Sequence, residues 1–274
     1  MAFPKIILDT DARNEIDDQY AIAYAMLSES FDIRGFTAAH FGKRRSMEKS
    51  HDEILLVLKL LGKEASYPVL RGAAGALPNA HMPVDSPAAR FIIDEAMNNR
   101  GDRLYVVCIA ALTNLASACM IKPEIKERIK VIWLADKAWP RGGLFFNMKK
   151  DILAAQIIFN TEIDLTIIPA CGVANKLKIY RRDKSHIHGK GEIGDYLWKI
   201  FIQRIWKPKA IYDVVAIAAL KSMDWCTWIT APRPALLRNG KFDHANSKGM
   251  ITVITDIDEK RMKKDFLSSL NKTC

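Results

Sequence analysis

Near the N-terminus the chain reads Ile6-Ile7-Leu8-Asp9-Thr10-Asp11-Ala12-Arg13-Asn14-Glu15-Ile16-Asp17-Asp18, an apolar run followed by four aspartates and a glutamate. A helical pattern follows directly, from Tyr20 to Leu27. The apolar run predicts a first β-strand, so the acidic residues lie at the junction between this strand and a helix. In an open α/β sheet, that junction belongs to the carboxyl edge, where ligands bind.

The acidic residues of this junction favour a metal site. Carboxylates in such numbers repel one another unless a cation lies among them, and hard oxygen ligands select Ca²⁺ or Mg²⁺ over softer metals. A simpler interpretation is that Asp17 and Asp18 cap the helix and compensate its macrodipole. That interpretation accounts for one or two acids but not for all five, so we expect a divalent cation here.

Strand-like and helix-like segments alternate along most of the chain. The predicted strands cover residues 5–8, 32–39, 67–70, 104–111, 131–135 and 165–169, and the predicted helices cover residues 17–27, 47–61, 86–97, 112–120 and 151–159. Apolar strands separated by helices indicate a mostly parallel central sheet with helices on both faces. The expected fold is therefore α/β, a Rossmann-like open sheet.

The C-terminal third is predicted to be more helical. We expect helices at 192–206 and 209–223, a hairpin around Asn239-Gly240, a strand at 250–255 and a last helix after Asp258. No Pro/Gly/Ser-rich linker divides the 274 residues, so we expect one domain spanning 1–274. The apolar runs are shorter than a membrane span, and no secretion signal is visible. Five cysteines without a CxxC pair are typical of reduced thiols, which predicts a cytoplasmic protein.

The net charge of +10 raises the hypothesis of a nucleic-acid partner. The basic runs are short and scattered, as in Lys43-Arg44-Arg45, Lys149-Lys150 and Arg181-Arg182, and aromatic residues do not interleave with them. Solvated surface lysines explain the charge better, so we expect neither a nucleic-acid nor a membrane partner. A basic rim could still steer an anionic small molecule towards a pocket.

Known nucleotide motifs are missing from the sequence. No G-x-G-x-x-G follows the first strand and no G-x-x-x-x-G-K-[ST] occurs, which argues against dinucleotide and P-loop sites. The Asp9-Thr10-Asp11 segment also resembles the Asp-x-Asp of aspartyl-phosphate phosphatases. Those enzymes have Thr or Val two places beyond the second Asp, where this chain has Arg13, so that alternative is the weaker one.

Four short motifs lie where predicted strands meet helices: Asp9-Thr10-Asp11 with Asp17-Asp18, Ala111-Leu112-Thr113-Asn114-Leu115-Ala116, Phe146-Asn147 followed by Asp151 and Ala154-Ala155, and Tyr212-Asp213. In order and spacing, this set resembles the inosine/uridine-preferring nucleoside hydrolases, in the variant with a longer loop before the paired acids. The resemblance extends from residue 5 to about residue 255. It implies the nucleoside hydrolase form of the α/β fold.

The resemblance implies a calcium-dependent hydrolase that cleaves the N-glycosidic bond of a ribonucleoside or related ribosyl compound with metal-activated water. The implied Ca²⁺ ligands are Asp11, Asp18, the main-chain carbonyl of Thr113, and Asp213. Asp11 is further implied as the base that takes the proton of the water. The implied contacts to the ribose are Asp17, Asn147 and Asn14. Family members are commonly dimers or tetramers, which implies a homodimer or homotetramer.

Two positions depart from the pattern of the family. Typical members have a Glu that meets the ribose 5′-hydroxyl where this chain has Phe145, so an apolar wall and an altered sugar or substrate are expected. Some members use a His as leaving-group acid where this chain has Tyr212. Tyrosine can donate that proton, although its ordinary pKa near ~10 makes it a reluctant acid.

Simpler roles for some of these residues stay open: Thr113 could cap a helix, Asp213 could offset a helix dipole and Asn147 could complete a turn. Separately, the metal ligands of the family pattern are present while its substrate contacts differ. The second hypothesis is therefore a non-catalytic calcium-binding relative that holds a ligand without turnover. The presence of Asp11, the implied base, favours the enzyme.

Overall fold

The computed structural model describes residues 3–101, 103–135, 137–204 and 207–273. Its strands are β1 Lys5–Thr10, β2 Asp32–Ala38, β3 Val69–Arg71, β4 Leu104–Cys108, β5 Ile129–Leu134, β6 Asp164–Ile168, β7 Lys178–Ile179, β8 Lys209–Ala210, β9 Cys226–Pro232, β10 Ala235–Leu236, β11 Phe242–Asp243 and β12 Met250–Ile257. Its α-helices are α1 Asp17–Leu27, α2 Ser46–Leu60, α3 Pro87–Asn98, α4 Thr113–Ile121, α5 Phe146–Lys150, α6 Ile152–Phe159, α7 Lys184–Ile187, α8 Gly191–Arg204, α9 Tyr212–Lys221 and α10 Glu259–Ser269.

Eight strands form the central sheet, in the order β3-β2-β1-β4-β5-β6-β12-β9. All neighbours pair in parallel except β9, which pairs antiparallel with β12 at one edge. The mostly parallel α/β sheet expected from the sequence is therefore confirmed. Strands β2 and β3 lie on one side of β1, and strands β4 to β6 lie on the other side. The strand order therefore reverses between β1 and β4. This reversal is where open α/β sheets bind their ligands.

Helices cover both faces of the sheet, and β1 shows why. Ile6 and Leu8 pack into a core beneath α1, α2, α8, α9 and α10, whereas Ile7 packs into a second core beneath α3, α4 and α6. Alternate side chains of a strand point to opposite faces, so a continuous apolar run can supply both cores. All three side chains are fully buried.

Several predicted boundaries shift in the structure. The strand predicted to reach residue 111 ends at Cys108, because the residues that follow turn the chain into α4. The helix predicted from residue 209 begins at Tyr212, because the residues of β8 pair with β7. The helix predicted at 192–206 is observed as Gly191–Arg204, and Trp206 lies outside the described residues.

The C-terminal third contains a strand that the sequence did not reveal. Strand β9 forms the edge of the sheet with most of its side chains exposed, so it carries no buried apolar pattern. The hairpin predicted around Asn239-Gly240 is confirmed by the antiparallel pair β10–β11, and Gly240 has the positive φ of 76° that suits glycine. Among the helices of the described residues, none combines the length and apolarity needed to cross a membrane.

Candidate active site

A pocket opens at the carboxyl edge of the sheet, beside the point where the strand order reverses. The β1–α1 junction, the ends of β4 and β5, and the first turns of α5 and α9 supply its walls. Its lining consists of Asp11, Asn14, Glu15, Asp17, Asp18, Ile109, Leu134, Ala135, Phe145, Phe146, Asn147, Ala170, Tyr212 and Asp213. Every site residue expected from the sequence except Thr113 is in this set.

Four buried carboxylates meet in the pocket. Asp11, Asp17, Asp18 and Asp213 are each 5% exposed or less. Ligand atoms of Asp17, Asp18 and Asp213 lie within 4.8 Å of one another, although Asp213 is about 200 residues away along the chain. Asp17 and Asp18 begin α1, and Asp213 lies in the first turn of α9, so both helix dipoles favour negative charge here.

The carboxylates destabilise one another's charged forms. Burial raises the pKa of Asp17 to about 7, and the neighbouring Asp18 adds to this effect. Burial likewise raises the pKa of Asp18 to about 7. For Asp11 and Asp213, burial and the other aspartates raise the pKa well above its ordinary value. The cluster is therefore not fully ionised at neutral pH unless a cation compensates its charge.

The donor atoms of this pocket fit a divalent cation. They are carboxylate, amide, hydroxyl and main-chain oxygens, and its described lining contains no cysteine and no histidine. Oxygen donors of this kind suit Ca²⁺ or Mg²⁺, whereas zinc and copper sites use sulfur or imidazole. Among the described residues, none of the four aspartates forms an ion pair with Lys, Arg or His. Their charge is therefore free for a bound cation.

A layer of polar residues holds the β1–α1 junction beneath the pocket. Thr10 donates to Asp18 at 2.6 Å, and the fully buried Asp9 accepts from Thr37 at 2.6 Å and from Asn114 at 2.8 Å. Asp9 is thus a support of the neighbouring strands and not a lining residue. Burial raises its pKa to about 6.

Thr113 does not reach the pocket with its side chain. Its hydroxyl donates to Asp151 at 2.7 Å and lies 3.0 Å from Nε2 of His40. Asp151 also caps α6 by accepting from the Ala154 N–H at 2.9 Å. Thr113 therefore belongs to a buried structural chain of hydrogen bonds. Ile109, and not Thr113, is the residue after β4 that lines the pocket.

Asn147 lies at the start of α5 and connects two strand ends. Its amide nitrogen donates to the carbonyl of Ile109 at 3.0 Å and to that of Leu134 at 3.1 Å. Its amide oxygen takes part in none of the hydrogen bonds found among the described residues. Asn147 thus aligns the ends of β4 and β5 while it keeps an acceptor for a ligand.

Contacts inside and outside the pocket hold the loop before α1 in position. Asn14 donates to Asp11 at 3.0 Å. Its neighbour Arg13 has a positive φ of 82° and pairs at 2.8 Å with the buried Glu53, which also accepts from Gln19 at 2.9 Å and from Tyr196. Glu53 could not be identified from the sequence, because its partners are distant along the chain.

Aromatic rings form the remaining wall. The rings of Phe145 and Phe146 meet edge to face with centroids 4.5 Å apart. Tyr212 adds a polar hydroxyl to the lining of the pocket. Its side chain is half-buried, and burial together with the nearby Asp17 raises its pKa. Tyr212 therefore keeps its proton at neutral pH. The pocket thus combines the carboxylates of Asp11, Asp17, Asp18 and Asp213, which form its acidic floor, with apolar rings and the hydroxyl of Tyr212.

Comparison with known proteins shows the fold and the family of this chain. A solved purine-preferring ribonucleoside hydrolase from Gardnerella vaginalis has the same fold, with a TM-score of 0.80, 21% identity and coverage of 98% of each chain. A probable uridine nucleosidase 2 from Arabidopsis thaliana is 26% identical over 72% of this chain and 68% of its own length. The inosine-uridine preferring nucleoside hydrolase of Leishmania major is 27% identical over 60% of this chain and 59% of its own length. The family model for inosine-uridine preferring nucleoside hydrolases matches residues 6–264, and the chain belongs to that family.

Proposed function

We propose that this protein hydrolyses the N-glycosidic bond of a ribonucleoside or a related ribosyl compound, with Ca²⁺ as its cofactor. The observation that carries the proposal is the convergence of Asp11, Asp17, Asp18 and Asp213 in one buried pocket at the carboxyl edge of the sheet. The names of the relatives from Arabidopsis and Leishmania support the same reaction.

The cation would be held by the carboxylates of Asp11, Asp18 and Asp213 and by a main-chain carbonyl. The sequence pointed to the carbonyl of Thr113, but Ile109 is the residue that lines the pocket at this strand end, so we assign that ligand to Ile109. When bound, the cation lowers the pKa of water and orients vicinal hydroxyls.

Asp11 is the proposed general base. It accepts the proton of the attacking water, and the hydrogen bond from Asn14 holds its carboxylate in position. Asp17 and the free amide oxygen of Asn147 accept hydrogen bonds from the ribose hydroxyls. The negative floor of the pocket stabilises the positive charge that develops on the sugar as the bond to the base breaks.

Tyr212 is the proposed proton donor to the leaving base. It lines the pocket beside Asp213 and stays protonated at neutral pH, since burial and Asp17 raise its pKa. The rings of Phe145 and Phe146 provide an apolar wall against which a planar base packs. Phe145 cannot accept a hydrogen bond from a sugar hydroxyl, which favours a substrate without that requirement.

The experiment compares base release from uridine, inosine and adenosine with Ca²⁺ and with a chelator. Asp11→Asn removes the base and is expected to lower kcat by roughly 100-fold or more while the fold is kept. Asp94→Asn, at an exposed position of α3, is the matched control and is expected to leave turnover unchanged. Calcium binding without release of base from any nucleoside would instead favour the non-catalytic alternative.

The remaining expectations for the whole protein belong to the same proposal. We propose a single domain that acts as a homodimer or homotetramer in the cytoplasm. The four described cysteines form no disulfide, which agrees with a reducing compartment. Analytical ultracentrifugation of the Ca²⁺-loaded protein tests the oligomeric state.

A further inference from the structure

Two wide clefts adjoin the acidic pocket. One is lined by Arg13, Asn14, Phe41, Lys43, Lys49 and Asp52, and the other by Gly42, Leu144, Phe145, Phe146, Lys149 and Lys150. Asn14 belongs to both the pocket and the first cleft, and Phe145 and Phe146 belong to both the pocket and the second. Each cleft therefore lies directly beside the pocket.

The sizes of these spaces show where most of a ligand would lie. The acidic pocket holds about 40 Å³, whereas each cleft holds about 580 Å³. The pocket has room for the polar edge of a sugar and a cation, and the other substituents of a ribosyl compound extend into the clefts. The chemistry of the clefts therefore selects those substituents.

Lysines dominate the second cleft, and no carboxylate lies among its described lining residues. Lys150 is half-buried there, and its ammonium nitrogen lies 3.9 Å from the position that a Cβ on Gly42 would take. Phe145 and Phe146 line this cleft together with Lys150 and also line the acidic pocket, so Lys150 lies close to that pocket. Lys150 is thus at the boundary between the acidic floor and the open cleft.

The lysines of this boundary are not neutralised by acids. Within the described residues, no ion pair includes Lys43, Lys149 or Lys150, although the same structure pairs Lys209 with Glu15 and Lys221 with Asp265. Arg13 is different, because Glu53 already occupies its guanidinium at 2.8 Å. These ammonium groups, two in the second cleft and one in the first, lie beside the acidic pocket and provide positive charge for an anion that the aspartates alone would repel.

Building on the proposed function, we propose that the preferred substrate is a ribosyl compound that carries an anionic substituent, a phosphate or a carboxylate. Lys150, assisted by Lys43 and Lys149, binds that anion while the acidic pocket holds the diol of the sugar. The test distinguishes an anion attached to the 5′-oxygen of the sugar from one attached to the base.

The test measures kcat/KM of the Ca²⁺-loaded full chain for uridine, for uridine 5′-monophosphate and for orotidine, which carries a carboxylate on its base. We expect one of the two anionic compounds to be preferred over uridine by roughly tenfold, because hydrogen bonds to charged groups are strong. The preference should weaken as NaCl rises from about 20 to about 300 mM, because salt screens exposed charges.

Substitutions of Lys150 test whether the preference for the anionic compound arises in the second cleft. Lys150→Gln is expected to lower the ratio of kcat/KM for the anionic compound to that for uridine by roughly tenfold, and Lys150→Arg to keep it. Lys264→Gln, on the exposed face of α10 and outside these clefts, changes the net charge equally and should alter neither value.

The outcomes separate this inference from the proposed function. Turnover of uridine with no preference for either anion, or an equal effect of Lys150→Gln on all three compounds, overturns the inference and leaves the hydrolase intact. If no compound is hydrolysed, calorimetric titration of the same three compounds decides the matter. Tighter binding of an anionic compound then supports the anion site without the reaction, and equal or weaker binding overturns it.

Discussion

Removal of divalent cations is expected to make the stability of this protein decrease as the pH rises. Burial raises the pKa of Asp17 and Asp18 from 3.8 to about 7 in the folded state, and in the unfolded chain both carboxyls titrate near their ordinary values. Below about pH 4, both carboxyls are protonated in the folded and in the unfolded state, so their burial does not lower the free energy of unfolding. Between about pH 4 and pH 7, the folded state holds protons that the unfolded state has released, so the free energy of unfolding falls. Above about pH 7 it levels off.

The size of this effect follows from the two pKa values. For one carboxyl whose pKa in the folded state is about 7, the free energy of unfolding falls by roughly 3 kcal/mol between about pH 5 and pH 8. The slope is about 1.36 kcal/mol for each pH unit up to the folded pKa. Asp17 and Asp18 repel each other, so part of the raised pKa of each depends on the charge of the other. The decrease in the free energy of unfolding for the pair is therefore less than twice this value. Bound Ca²⁺ is expected to offset this loss, since binding to the folded state alone contributes about 4 kcal/mol at 1,000 times its Kd.

Urea unfolding followed by tryptophan fluorescence measures this dependence, at four pH values from about 5 to 8, with EGTA and with excess CaCl₂. Asp18→Asn removes one of the titrating groups and should flatten the slope in EGTA, whereas Asp94→Asn on the exposed face of α3 should keep it. A free energy of unfolding in EGTA that is constant or rises from pH 5 to 8 would refute the reasoning. So would a stability that Ca²⁺ leaves unchanged at pH 8.

Three substitutions outside the acidic floor test the surrounding scaffold by urea unfolding. Asp151→Ala removes the cap of α6 together with two further hydrogen bonds to the same carboxylate, and should cost about 3 kcal/mol; a cost below about 1 kcal/mol would contradict this role. Gly72→Ala places a methyl group 2.2 Å from the Ala38 carbonyl oxygen and 2.4 Å from the amide of Asn114, and should cost about 2 kcal/mol or more. An unchanged midpoint would show that the backbone can move aside there. Glu53→Ala leaves three donors without their shared acceptor and should cost about 3 kcal/mol and raise KM; unaltered kinetics would separate this network from the active site.

The sequence was informative where one local pattern determined both structure and chemistry. The acids of the β1–α1 junction follow an apolar strand, and Asp213 opens an apolar helix, so their position at one edge of the sheet could be expected. Main-chain ligands leave no such pattern: the sequence indicates Thr113, whereas Ile109 is the residue of this segment that lines the pocket. The edge strand β9 was missed because it buries little, so its side chains show no buried apolar face.

The arrangement of positive charge explains how the acidic floor can exist without being neutralised. Lys209 and Lys150 are both close enough to influence the aspartates, but Lys209 pairs with Glu15 and Lys150 lies at the mouth of a neighbouring cleft. A direct ion pair would lower the pKa of an aspartate and occupy the oxygens that a cation needs. Holding the lysines at the rim instead leaves the charge of the floor uncompensated, which the proposed cation would relieve. The same separation leaves the ammonium groups free for an anionic substituent, so one distribution of charge supports both proposals.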